Sequence, residues 1–236
     1  MIQRPITSSR VSRIDRLPSG TETAKPEQED EWEQMSFLKG LPLVRETPRE
    51  WASLACEQLD EVLRDHAWCE FKAASAGLGM IARFPDHDFL CRPMIALAQE
   101  EILHFRQVTD LLRERGVALG APKPDEYVRR LRTAVCAKGQ GLGDVGDHLI
   151  LNAFVEARSC ERFRVLAAAL EGDVSEEQEL ARFYQRLADA ESRHWETFRD
   201  LAMEVCAPDQ VCRRIEEVAT LEADLIAQQP IEARMH

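Results

Sequence analysis

Two stretches decide how this chain folds: LAQEEILHFRQV at residues 97–108 and LADAESRHWETF at residues 187–198. Each places Leu, Glu, His and a further apolar residue at the same spacing: Leu97, Glu101, His104 and Val108 in one, Leu187, Glu191, His194 and Phe198 in the other. Leu111 and Leu201 extend the match. On a helix, residues three and four apart lie on one face, so both stripes are apolar except for a carboxylate and an imidazole. An apolar stripe faces a core, where a carboxylate and an imidazole are costly unless something neutralises them. A single Glu-x-x-His is common on solvated helices, whereas two at matching stripe positions on alternate helices are not an ordinary coincidence. The pattern is that of all-α four-helix bundles holding two metal ions, with a Glu-x-x-His from each of two helices and one Glu from each of the others.

Working outward, the chain supplies the other two helices. Thr47-Pro48-Arg49-Glu50 reads as a capping box opening the first long helix, which carries the stripe Leu59, Val62, His66, Glu70, Ala73, Gly77, Met80 to about Arg83. A second helix begins between Asp88 and Pro93 and runs to Arg115, with Gly116 as its stop. A short helix is expected from Asp125 to Lys138, a third long one from about Asp147 to Glu171 with Gly172 as its stop, and a fourth from Ser175 to about Cys206. Pro208-Asp209 opens a last helix to about Gln228. Four long helices with short loops inside each pair and a longer crossover between pairs define a ferritin-like bundle with additional short helices. Residues 1–40 are polar and acidic and read as a flexible arm, leaving 41–236 as the domain, with Phe37, Leu38, Leu41 and Leu43 docking on it.

Glu70 interrupts the apolar face of the first helix and is its candidate ligand, and His66, one turn earlier, is expected to hydrogen-bond a ligand or sit in the core. The third helix offers Glu156 and Glu161. Residues that face each other in an antiparallel pair lie equally far from the turn; 156 and 191 are centred on the turn, while pairing 161 with 191 shifts the contact by about 7.5 Å at 1.5 Å per residue. Glu156 is therefore the expected ligand, with Glu161 in reserve or paired with Arg158, Arg162 or Arg164. Glu100 is placed to orient a ligating imidazole.

The composition sets limits. No apolar run reaches the roughly 18 residues of a transmembrane helix, and the first 26 residues lack the apolar segment of a secretory signal. Seven cysteines with no C-x-x-C pair read as small buried residues in a reducing cytoplasm, rather than as disulfides or a zinc site. A net charge of −12 disfavours non-specific nucleic-acid binding but not a local basic patch, for which Lys123, Arg129, Arg130, Arg132 and Lys138, with Arg113 and Arg115, are the candidates.

Four strings carry a family resemblance: DHAWCEFKAAS at 65–75, EEILHF at 100–105, EARSCERF at 156–163 and ESRH at 191–194. They resemble the tRNA 2-methylthio-N6-isopentenyladenosine hydroxylases, the MiaE family, over about residues 45–205. The resemblance implies a ferritin-like non-haem di-iron monooxygenase that hydroxylates the isopentenyl group of a modified adenosine beside the anticodon, using dioxygen and electrons from a separate reductase. It also implies a monomer or weak dimer. Carboxylate and imidazole suit manganese as well as iron. Two other readings keep the fold: an oxygenase of a small prenylated or aliphatic molecule, and an iron-binding protein of the ferritin or rubrerythrin kind.

Overall fold

The computed structural model describes residues 36–137, 141–170 and 175–236, with backbone alone at 175 and 176. Within them the regular elements are α1 (Arg49–Glu57), α2 (Leu59–Arg83), a 3-10 turn (Asp88–Leu90), α3 (Cys91–Glu114), α4 (Glu126–Val135), α5 (Asp144–Ala169), α6 (Ser175–Val205) and α7 (Pro208–Gln228). The expected arm through residue 35, Lys138, Gly139, the stop at Gly172 and the cap of Ser175 lie outside the described residues.

The bundle consists of two hairpins, α2 against α3 and α5 against α6, joined by the crossover that carries α4. Gly77 sets the first contact: a Cβ there would lie 3.1 Å from Leu97 Cδ2, so the missing side chain lets the two backbones approach. Gly116 ends α3's last turn at φ 68°, a conformation that costs glycine nothing. Helix α5 is apolar around most of its circumference, with Leu149, Ile150, Leu151, Phe154, Phe163 and Leu166 all buried, as a central helix must be. Each such large side chain contributes about 1.5–3 kcal/mol by leaving water.

Three boundaries differ from the sequence reading. The first long helix is two helices, because Gln58 leaves the helical region at φ −120°, ψ 42°. Thr47 caps nothing: its backbone N–H and hydroxyl donate to the two oxygens of Glu161, at 2.7 and 2.6 Å, and Pro48 takes the N-cap position. Helix α5 begins at Asp144 rather than Asp147. The compact unit runs from Phe37, where Arg164 donates to the carbonyls of Phe37 and Lys39 and Trp195 donates to that of Gly40.

Asp125 caps α4, its carboxylate accepting the Val128 N–H at 3.0 Å. Burial alone would raise its pKa, but His236, the Val128 N–H and Lys72 together hold the carboxyl well below the usual range. An acid whose folded pKa is depressed stabilises the fold above its unfolded value of about 3.9, and that stabilisation is lost as pH falls toward the folded value. Asp125→Ala is expected to cost about 1–2 kcal/mol at pH 7. The gap between variant and wild type should narrow at pH 3, and equal gaps in urea unfolding at both pH values would contradict this account.

Candidate metal centre

Helices α2, α3, α5 and α6 each send carboxylates into the middle of the bundle, and α3 and α6 add one imidazole each. Glu70, Glu101, His104, Glu156, Glu191 and His194 are all buried. They form two overlapping groups, one of Glu70, Glu101, His104 and Glu191, the other of Glu101, Glu156, Glu191 and His194. Within each group the donor atoms lie within 4.8 Å of one another. Glu101 and Glu191 belong to both, so two carboxylates sit between two flanking Glu–His pairs. That is the donor arrangement of a carboxylate-bridged pair of cations.

The distances describe a set of acceptors waiting for a common positive charge. His104 Nδ1 lies 3.4 Å from Glu101, 3.6 Å from Glu70 and 3.7 Å from Glu191. His194 Nδ1 lies 2.8 Å from Glu101 and 3.1 Å from Glu191. Yet both oxygens of Glu101, Oε1 of Glu191, Nδ1 of His104 and Nε2 of His194 make no hydrogen bond, five of the seven such buried side-chain atoms among the described residues. Orphaned buried polar atoms are rare and costly, and their concentration at one point marks a site for ions. All the donors are oxygen or imidazole nitrogen, which suits iron or manganese.

The electrostatics agree. Burial works against the Glu70 charge, but the nearby Glu101 and His104 and the hydrogen-bonded His66 outweigh it and hold its pKa at about 2. Burial and the neighbouring Glu70 push Glu101 up, and burial with Glu191 and Glu101 pushes Glu156 far up. Burial disfavours a charged His104, yet Glu101 and Glu70 raise it to about 10. Crowded acids pushed up and an imidazole pushed up beside them mark a place that favours positive charge.

A surrounding layer fixes the ligands. His66 Nε2 stands 2.6 Å from Glu70 Oε1, and the Tyr184 hydroxyl lies 3.3 Å from His66 Nδ1. Glu100 Oε2 lies 3.2 Å from His194 Nε2, without hydrogen-bond alignment, while its other oxygen accepts from Arg193 at 3.0 Å. Tyr184 escaped the sequence reading, although it precedes Glu191 by seven residues and so shares its helix face. Glu161 stands apart from the cluster, in an ion pair with Arg158 at 2.9 Å. Arg158 itself bridges Glu161 and Glu222 and touches none of the six donors.

A cavity of about 370 Å³ opens onto the cluster. Glu70, Glu156 and Glu191 lie at its buried end, Ala73, Ala76, Val128 and Val155 on its walls, and Lys72, Arg129 and Arg132 toward the surface. The other basic candidates are engaged elsewhere: Lys123 with Glu61, Arg130 with Gln228, Arg113 with Asp110 and Arg115 with Asp60. No helix among the described residues is long and apolar enough to cross a membrane.

Residues 35–236 match the family model described as tRNA-(MS[2]IO[6]A)-hydroxylase (MiaE). A Pseudomonas putida protein, tRNA 2-(methylsulfanyl)-N(6)-isopentenyladenosine(37) hydroxylase, is 37% identical over 190 residues, covering 80% of this chain and 89% of its own length. A Salmonella typhimurium protein of the same name is 28% identical over 239 residues, covering 80% of this chain and 85% of its own. Among solved structures, a Synechococcus protein with aldehyde deformylating oxygenase activity superposes with a TM-score of 0.71 at 30% identity, covering 82% of this chain and 94% of that one.

Proposed function

The chain belongs to the MiaE family of tRNA hydroxylases, and from that premise we propose that it hydroxylates the isopentenyl group of a 2-methylthio-N6-isopentenyladenosine in tRNA, at two irons held by Glu70, Glu101, His104, Glu156, Glu191 and His194. The observation that carries the reading is the convergence of six oxygen and nitrogen donors, five of their atoms unpartnered, at the closed end of a cavity. When bound, the irons supply the oxygen-reducing chemistry needed to oxidise an unactivated carbon, with electrons drawn from an external donor.

The chain's own residues do the rest. Ala73, Ala76, Val128 and Val155 offer an apolar wall to a prenyl chain and leave little room for water around the reacting carbon. His66 and Tyr184 hold one oxygen of Glu70, so its other oxygen stays directed at the cluster. Glu100, itself held by Arg193, faces the outer nitrogen of His194. At the mouth, Lys72, Arg129 and Arg132 gather positive charge on a chain whose net charge is −12, where the sugar–phosphate backbone around an inserted nucleoside would lie. Among the described residues Arg132 forms no ion pair, unlike Arg129, which is paired with Glu126.

Arg132→Gln is accordingly expected to raise KM for tRNA and to lower the slope of affinity against salt by about one, with kcat little changed. An unchanged salt slope would remove Arg132 from the interface. The function itself is tested by anaerobic reconstitution with ferrous iron, a metal count, and exposure with oxygen and a reductant to tRNA carrying the modification. Two irons per chain and a nucleoside heavier by one oxygen are expected. Two irons with an unaltered nucleoside would overturn the tRNA assignment and favour the reading that the Synechococcus likeness supports, an oxygenase of a small aliphatic molecule.

A further inference from the structure

The cavity wall carries a second group of donor atoms, which shares no residue with the six above. Cys69 of α2, Asp125 at the start of α4 and His236 of the C-terminal segment bring Sγ, a carboxylate oxygen and an imidazole nitrogen within 4.8 Å of one another. His236 Nδ1 is 3.8 Å from Cys69 Sγ and 3.5 Å from Asp125 Oδ2. Tetrahedral zinc, with bonds of about 2.3 Å to sulfur and 2.0–2.2 Å to nitrogen or oxygen, sets its ligand atoms roughly 3.3–3.6 Å apart. Both distances from His236 stand near that spacing, and the third pair lies within 4.8 Å.

We propose that Cys69, Asp125 and His236 form a mononuclear site for a thiophilic divalent cation of the zinc class, with water from the cavity in the fourth position. Two further contacts favour ligation over a chance meeting of polar groups. The outer nitrogen of His236, Nε2, lies 3.0 Å from the Ser159 hydroxyl, and metal-bound imidazoles are oriented by such an outer hydrogen bond. The outer oxygen of Asp125, Oδ1, is likewise fixed by the Val128 N–H at 3.0 Å, leaving Oδ2 for the cation. The cavity supplies the entry path. Sulfur among the donors separates this site chemically from the oxygen and nitrogen cluster, since thiolate selects zinc while carboxylate and imidazole accept iron.

Two charged groups border the site. Lys72 Nζ lies 3.2 Å from Asp125 Oδ2 and supplies the positive charge that a cation would replace; its side chain is one-third exposed and free to turn outward. Asp65 lies 3.9 Å from Cys69 Sγ but is held by Arg234 and the Met235 N–H. A bound cation would tie the C-terminal segment to α2 and α4 and so fix one wall of the cavity.

Cobalt(II) is the probe: a thiolate bound to cobalt gives a charge-transfer absorption in the near ultraviolet that the sulfur-free cluster cannot give. Titration of the reduced, metal-free full chain should develop this band to the intensity of one cobalt–thiolate bond per chain, and zinc should abolish it. Cys69→Ser and His236→Ala should lack it. Two variants that keep all three ligands read the site even if those do not fold: Lys72→Gln should bind cobalt more tightly, and Ser159→Ala about 10–100-fold more weakly. No charge-transfer band in the wild type, a band retained in Cys69→Ser, or affinities unmoved in both Lys72→Gln and Ser159→Ala would overturn the proposal. None of these readings depends on hydroxylation, so the proposal and the assigned reaction fail separately.

Discussion

Replacing Glu101 with leucine is expected to abolish metal binding and hydroxylation while making the metal-free protein more stable than the wild type. Glu101 is fully buried, and neither of its oxygens has a hydrogen-bond partner. Burial and the Glu70 carboxylate beside it raise its pKa, so with no cation present the residue works against the fold. A leucine, one atom shorter but branched, fills much of the space and removes the desolvated carboxyl group, for a gain of about 1–3 kcal/mol. The same change deletes a donor common to both groups of the centre, so neither cation keeps its ligand set. Elemental analysis after reconstitution should find the metal lost, and urea unfolding of the metal-free variant should show a higher midpoint. Retained metal would remove Glu101 from the ligand set. A lower midpoint would mean that the cluster neutralises itself better than its unpartnered atoms imply. Opposite signs for function and stability are expected where a site stores unfavourable charge for a ligand.

The helices were legible because their apolar residues recur at helical spacing, and the donor cluster because its polar residues break that recurrence at matching points. Glu156 stands with Glu191 because two antiparallel helices joined by a short turn must place residues equidistant from it side by side. Glu161, five residues on, cannot share that level; it looks instead toward Thr47, 114 residues away in sequence. The Thr47 contact shows where local reading stops. Thr47-Pro48-Arg49-Glu50 has every local feature of a capping box, but the buried Glu161 carboxylate takes both Thr47 donors, one on each oxygen. His236 is a similar case: it sits on no periodic stripe, and its place beside Ser159 is set by tertiary packing, with the Trp51 indole and Arg162 donating to carbonyls of the segment that carries it.

That buried carboxylate leads to the largest expected loss of stability. Arg158 is wholly buried and bridges two acids: its guanidinium donates to both oxygens of Glu222 at 2.8 and 2.9 Å and to Glu161 at 2.9 Å. It also donates to the Arg45 carbonyl at 2.9 Å, and Tyr127 donates to Glu222 at 3.2 Å. One side chain thus joins the segment before α1 to α5 and α7. Burial opposes its charge, but Glu161 and Glu222 raise its pKa well above the usual arginine value, so it stays ionised throughout the working range. Arg158→Met keeps much of the volume and removes the charge, leaving two buried carboxylates with no cation between them, and is expected to cost about 3–5 kcal/mol. The cause is separable from lost packing. If uncompensated charge dominates, adding Glu161→Leu and Glu222→Leu to Arg158→Met should recover at least half of the loss, because a buried ion triad replaced whole by apolar groups is often neutral or stabilising. If packing and the hydrogen bonds to Arg45, Thr47 and Tyr127 dominate, the triple variant should be weaker than the single one. Urea midpoints of the two variants decide between these accounts, and metal content should be retained in both, since Arg158 touches none of the six donors.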